Sequence, residues 1–269
     1  MADEQQLAAL GARRIAADTD PDELVLPEES GQRLGWIAGW LSQPPFIFRE
    51  WGLSRHVDGG LRALFRGPSG TGKTMAAVAL ARSTGRPLFS IDLGAVEPKY
   101  IAETEKKLAQ LFDAANETGA ILLFDEADAL LGKRSEVKDA HDRYANVEIG
   151  YVLRRIEPFE GLAILTSNAP AGIDEEALDR IDVLVEFPLP DAAMREALWG
   201  KLLGSVKLPK GDDVDVGRLA KQYELSGAEI LRSVRLAASI AASGERKLDM
   251  QLLQSAAGER IEMRQGERQ

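Results

Sequence analysis

The 269-residue chain contains no cysteine. Disulfide staples and thiolate metal sites are therefore excluded. Its imidazole supply is His56 and His141, which argues against a zinc centre. No uninterrupted apolar run approaches the ~20 residues needed to cross a bilayer. Residues 1–6 carry Asp3 and Glu4 and lack the basic-then-apolar plan of a secretion signal. The expectation is a cytoplasmic protein with no membrane partner. Basic residues are in deficit, 33 Lys and Arg against 43 Asp and Glu, a net charge of −10. Broad, sequence-independent binding to nucleic acid needs a dense positive surface, and this balance argues against it. There is no internal repeat, no low-complexity tract and no H-E-x-x-H metalloprotease signature.

What is present begins with Gly67-Pro68-Ser69-Gly70-Thr71-Gly72-Lys73-Thr74, which fits G-x-x-x-x-G-K-[ST] at every fixed position. Residues 61–66 read as a strand and Met75 onward as a helix, the context this motif requires. Glycines let the backbone wrap around phosphate oxygens, and the loop amides with the helix start form an anion site. Lys73 is expected to reach the β- and γ-phosphates of ATP, and the Thr74 hydroxyl to ligate Mg²⁺. The alternative is a Gly-rich turn with a chance lysine.

From about residue 61 to 188, apolar strands alternate with amphipathic helices. Strands are predicted at 63–66, 88–92, 121–125, 163–166 and 183–187, and helices at 73–83, 103–117 and 143–157, with a short turn near 174–178. Such alternation predicts an α/β fold, a mostly parallel sheet with flanking helices. Beyond Pro188 and Pro190, residues 191–203, 214–223, 226–242 and 247–257 read as helices, a small all-helical lid. Asp191 and Ser226 are its candidate N-caps, and the charged tail from Glu259 reads as frayed. Upstream, 3–18 and 29–42 read as helices. The domain reading is an N-terminal arm at 1–45, a nucleotide-binding unit at 46–190, and a lid with tail at 191–269.

Two further strands end in polar residues. Ile121-Leu122-Leu123-Phe124-Asp125-Glu126 has the Walker B pattern. A buried strand delivers Asp125 to the sheet's carboxyl edge, where open α/β sheets bind ligands. Asp125 is then the Mg²⁺ carboxylate and Glu126 the group that orients the attacking water. The alternative is a solvated acidic turn; Asp128, Lys133 and Arg134 read as solvated. Leu162-Ala163-Ile164-Leu165-Thr166-Ser167-Asn168 ends in an amide placed to hydrogen-bond the water or the γ-phosphate.

The order along the chain is P-loop, Asp125-Glu126, Asn168, Asp179-Arg180-Ile181-Asp182, then helices. It resembles an AAA-family ATPase of the short, single-ring type, over roughly residues 25–257. Ile173 to Arg180 resembles the family's second region of homology, and Leu225-Ser226-Gly227-Ala228-Glu229-Ile230 its sensor 2 segment. Lys99-Tyr100-Ile101 resembles the first pore loop. The resemblance implies a ring, commonly a hexamer, with ATP at subunit interfaces and a protein client or adaptor as partner. Arg180 becomes the candidate arginine finger, although Asp179 stands where relatives often carry a second arginine. The alternative is an ion pair with Asp179 or Asp182. Tyr100 either grips a threaded polypeptide or packs at a helix start. Residues 132–143 would be a second pore-facing loop or a solvated one. Gly227 and Ala228 let backbone approach the nucleotide, whereas Arg232 and Arg235 remain open. Residues 24–27 are expected near adenine; Trp36, Trp40, Trp51 and Phe46 read as core or subunit-contact residues. The implied activity is ATP hydrolysis driving remodelling of a protein; the alternative is a slowly hydrolysing switch or scaffold.

Overall fold

Short apolar runs between polar turns become strands, because β-branched and aromatic residues pack well on a pleated surface. The computed structural model describes residues 2–43, 50, 52, 59–91, 101–131, 152–169 and 173–266. Helix α1 (Ala2–Ala9) is followed by β1 (Ala12–Ile15), α2 (Glu28–Ser42), β2 (Leu61–Arg66) and α3 (Lys73–Thr84). Next come β3 (Leu88–Ile91), α4 (Ile101–Thr118), β4 (Ile121–Phe124), α5 (Asp128–Leu131) and β5 (Leu162–Ser167). Then follow α6 (Glu175–Leu178), β6 (Val183–Glu186), α7 (Ala192–Ser205), α8 (Val216–Gln222), α9 (Gly227–Ser243) and α10 (Met250–Gly266).

The chain forms two compact units. The first comprises residues 1–21, 28–67 and 73–186, and the second residues 22–27, 68–72 and 187–269. The first unit holds a six-stranded sheet ordered β1-β3-β4-β5-β2-β6. All its pairings are parallel except β1 with β3, which is antiparallel. β3, β4 and β5 are buried along their whole length, as expected of strands covered on both faces. α2 packs on α3 and on β6, and α1 packs on α4.

The N-terminal segment departs from its sequence reading. The spacing of Leu7, Leu10 and Ile15 predicts one helix over 3–18, but the helix stops at Ala9. Gly11 adopts φ +96°, a left-handed conformation that ends helices. Ala12–Ile15 then leaves as a strand paired with Ile91–Leu88. Arg13 and Arg14 are exposed on this edge strand, a charge pattern that opposes edge-to-edge association.

The second unit is helical, and its described residues contain no strand, only an isolated bridge between Lys210 and Leu248. Trp199, Leu219, Ile230, Leu248 and Leu253 are fully buried at its centre, each worth about 1.5–3 kcal/mol of apolar burial. Asp191 Oδ1 accepts from Met194 N at 2.8 Å. Ser226 and Glu229 form a reciprocal capping box at the start of α9. These side chains satisfy helix amides that would otherwise lack partners. The buried Arg195 donates to Ala220 O at 2.8 Å and Pro190 O at 2.7 Å, joining α7 to the end of α8. The charged tail does not fray at Glu259: α10 continues to Gly266. Arg264 donates to Glu224 O at 3.2 Å and lies 3.6 Å from Glu229. Among the described residues, no helix is long and apolar enough to cross a membrane.

Candidate functional site

Sheet order assembles the polar strand ends. β5 lies between β4 and β2, in register Phe124↔Leu165 and Arg66↔Ser167. Parallel strands end at one edge, so Asp125, Asn168 and Gly67 leave three neighbouring strands together. Gly67 N donates to Ser167 O at 3.1 Å, tying the loop to β5.

Lys73 opens α3 but turns back under the loop. Its Nζ donates to Gly67 O at 2.6 Å and to Asn168 Oδ1 at 2.8 Å. The side chain is buried. That burial pushes the ammonium below its usual range, while the charges of Asp125, Asp128 and Glu126 pull it back up. Thr74 is exposed beside it, and its Oγ1 lies 3.2 Å from Asp125 Oδ2. Met75, also exposed, lies in the first turn of α3.

The middle of the loop belongs to the second unit. Gly70 adopts φ +79°, and a Cβ there would lie 2.9 Å from both Ala228 Cβ and Ser226 Oγ. Only glycine fits. Gly70 O accepts from Ala228 N at 3.0 Å, and Gly227 lies against the same carbonyl. Thr71 Oγ1 donates to Pro68 O at 2.8 Å. Pro68 and Ser69 are exposed, and the Cβ direction of Gly72 meets open space.

The acidic turn is held from β5. Thr166 Oγ1 donates to Asp125 Oδ1 at 2.6 Å and accepts from Glu126 N at 2.9 Å. Thr166 O accepts from Ala127 N at 2.8 Å. Glu126 is exposed and has φ +54°, a sparsely populated conformation for a side-chain-bearing residue and one that clusters at functional sites. Asp128 is not merely solvated. It accepts from Ser167 Oγ at 2.6 Å, and from Asn168 N and Ala169 N at 3.3 Å each. Sequence reasoning misses Thr166 and Asp128. The available signal is that adjacent runs 121–124 and 162–165 both give way to polar residues at one level.

Arg180 Nε lies 3.0 Å from Glu157 Oε1. Asp182 is engaged by Arg62 at 2.8 and 3.1 Å. Arg232 and Arg235 line a cleft with Leu236, Ser239 and Arg260. Residues 24–27 are half-buried in the second unit. Trp36 is 65% exposed and is not a core residue; Trp40 is half-buried. Lys99, Tyr100, residues 132–143, Phe46 and Trp51 lie outside the described residues, and Ile101 is described only as the first residue of α4.

These residues fit a magnesium–nucleotide complex. A buried ammonium and the amides at the start of α3 offer positive charge to phosphate. Thr74 Oγ1 and Asp125 are hard oxygen donors, the set Mg²⁺ takes alongside phosphate and water. Among the described residues, no group of three or more His, Cys, Asp or Glu forms a metal cage; magnesium carried with nucleotide requires none.

Residues 63–189 match the family model described as "ATPase family associated with various cellular activities (AAA)". Over 186 residues the chain is 31% identical to "Cell division protein C" of Sulfolobus acidocaldarius, covering 66% of this chain and 49% of that protein. "Proteasome-activating nucleotidase" of Aeropyrum pernix is 31% identical over 194 residues, 69% of this chain and 46% of its own length. "Spastin" of Drosophila grimshawi is 32% identical over 188 residues, 64% of this chain and 23% of its own. The chain thus spans about half the length of the first two and about a quarter of the third.

Proposed function

The chain belongs to the AAA family of ATPases, and we propose that it hydrolyses Mg²⁺-bound ATP in a homo-oligomeric ring, a hexamer by family resemblance, to remodel or thread a protein client. The observation that carries this reading is the convergence of Lys73, Thr74, Asp125 and Asn168 at one sheet edge, with hydrogen bonds linking Lys73 to Asn168 and Thr74 to Asp125.

On this reading Gly67 to Thr74 cradle the phosphates through backbone amides, and Lys73 holds the β- and γ-oxygens. Thr74 and Asp125 hold Mg²⁺, which supplies charge neutralisation at the phosphates. Glu126 orients the attacking water and takes its proton. Asn168 donates its amide N–H to that water or to the γ-phosphate. Arg180 offers its guanidinium to the site of the adjoining subunit. Gly227 and Ala228 border the nucleotide through their contact with Gly70. Lys99, Tyr100 and Ile101 form the client-gripping loop. Residues 46–190 form the nucleotide-binding unit and 191–269 the lid; the arm expected at 1–45 is largely built into the first unit, β1 extending its sheet and α2 packing on α3 and β6. We assign the protein to the cytoplasm, where Mg²⁺ and ATP are abundant.

A second reading, a slowly hydrolysing switch or scaffold, rests on Asp179, which stands where relatives often carry a second arginine. Arg180 is engaged by Glu157 of its own chain, and that pair must open before Arg180 can serve a neighbour.

Turnover per subunit, measured against protein concentration with native mass in parallel, tests the proposal. A rise coincident with ring assembly supports a motor. Strong turnover by a strict monomer contradicts the ring, and assembly with negligible turnover favours the switch.

A further inference from the structure

The Thr166 side chain is almost completely buried, yet its hydroxyl serves two neighbours in the acidic turn. It donates to Asp125 Oδ1 at 2.6 Å and accepts from Glu126 N at 2.9 Å. One group thus uses both its donor and an acceptor lone pair. With Oδ1 held by Thr166, Asp125 Oδ2 is the oxygen nearer Thr74 Oγ1, at 3.2 Å against 3.5 Å for Oδ1. The bond from Glu126 N acts on a residue whose φ of +54° persists only where the surroundings over-determine it. The carbonyl of Thr166 adds a third restraint by accepting from Ala127 N at 2.8 Å. β-sheet register explains the arrangement: Phe124 pairs with Leu165, so Asp125 and Thr166 are the next residues on adjacent strands.

We propose that Thr166 is a positioning residue for the hydrolytic site, its buried hydroxyl fixing at once the rotamer of the magnesium carboxylate Asp125 and the backbone of Glu126. It acts through the two acids, and so rests on the function proposed above. Asp128 does the corresponding work one residue further along β5. Its carboxylate holds Ser167 Oγ and the amides of Asn168 and Ala169, which sets the turn that carries Asn168. Thr166 thereby aims the two acids from β5, while Asp128, at the start of α5, holds the turn that carries Asn168.

A hydroxyl that orients a metal carboxylate should govern the magnesium-dependent part of binding and leave the magnesium-free part alone. The test compares the unaltered chain with Thr166→Val, Thr166→Ala and Thr166→Ser. Three quantities are read: ATP affinity in EDTA, ATP affinity and turnover as functions of Mg²⁺ concentration, and thermal unfolding. Thr166→Val and Thr166→Ala are expected to raise the Mg²⁺ requirement and lower turnover by about 10–100-fold, the usual effect of losing a residue behind a metal ligand. Affinity in EDTA is expected to stay within about twofold, because Lys73 and the loop amides do not depend on Thr166. Thr166→Ser, which keeps the hydroxyl, is expected to recover most of the loss. Should Thr166→Val lose its fold, Thr166→Ala and Thr166→Ser carry the comparison. An unchanged Mg²⁺ requirement in a folded Thr166→Val or Thr166→Ala overturns the proposal. So does a serine variant as impaired as the alanine, or a parallel loss of affinity in EDTA. Failure of the unaltered chain to bind ATP in either condition would instead overturn the underlying site assignment.

Discussion

Lys73 Nζ donates to Asn168 Oδ1 at 2.8 Å. This bond joins the P-loop lysine to the polar end of β5 within one unit of the fold. It explains how a long, flexible lysine is held in place: the side chain is buried and anchored on Gly67 O and Asn168 Oδ1. Asn168→Ala removes one anchor and one amide donor from the site. Turnover is expected to fall by about 100-fold, the cost of losing one pre-positioned donor, while ATP affinity changes much less. Rapid-quench turnover beside equilibrium binding separates the two, and equal losses in both would assign Asn168 to nucleotide binding alone.

Lys73 also gives the site a pH signature. Burial lowers its pKa from the ordinary 10.5. The folded chain therefore holds this proton less tightly than the unfolded chain. The resulting destabilisation is fully present below the folded pKa and is relieved as pH rises from there toward 10.5. ATP binding runs the other way, because phosphate charge favours the ammonium. Affinity is expected to weaken with rising pH before 10.5 is reached. Calorimetry in buffers of different ionisation enthalpy should detect proton uptake on binding in that range. Lys73→Met should bind weakly and lack this limb; a limb that persists in the variant would assign the titration elsewhere.

Gly70 tests whether the loop depends on α9. A side chain there would meet Ala228 Cβ and Ser226 Oγ at 2.9 Å in a left-handed backbone. Gly70→Ala is expected to cost about 1–3 kcal/mol of stability and to weaken ATP binding. Denaturant unfolding and binding isotherms measure both, and a variant as stable as the parent would show that the contact between the loop and α9 is loose.

The pairing of Arg180 with Glu157 at 3.0 Å is partly solvated and should contribute less than about 1 kcal/mol, so it opens easily. Glu157→Gln is expected to leave stability nearly unchanged. Arg180→Ala should bind ATP and lose about 10³-fold in turnover if its guanidinium acts on a neighbour. Mixing Arg180→Ala with Glu126→Gln supplies the Arg180→Ala site, whose Glu126 is intact, with a neighbour's guanidinium. Partial recovery of turnover is expected from the mixture, and none is expected if Arg180 works within its own chain.

The parts of the fold written into local pattern are legible in the sequence. Residues 61–74 show strand, glycine loop and helix in succession, and Asp191 and Ser226 announce helix starts that their side chains cap. What escapes depends on partners distant along the chain. β1 is missed because Leu7, Leu10 and Ile15 mimic a helical stripe while Gly11 breaks it. The end of α10 is missed because Arg264 finds its partners, Glu224 and Glu229, in a preceding segment. Asp125 and Asn168 stand out as polar residues closing apolar runs. Thr166 and Asp128 do not, because their importance lies in contacts between segments about 40 residues apart, which local pattern does not display.

The most direct test is Glu126→Gln, assayed for ATP binding and turnover beside the unaltered chain. The substitution keeps the shape and left-handed turn but removes the carboxylate that takes the water's proton. Undiminished ATP binding is expected, with turnover lowered by about 10²–10⁴-fold. Unaltered turnover in the variant, or no ATP binding by the unaltered chain, would contradict it.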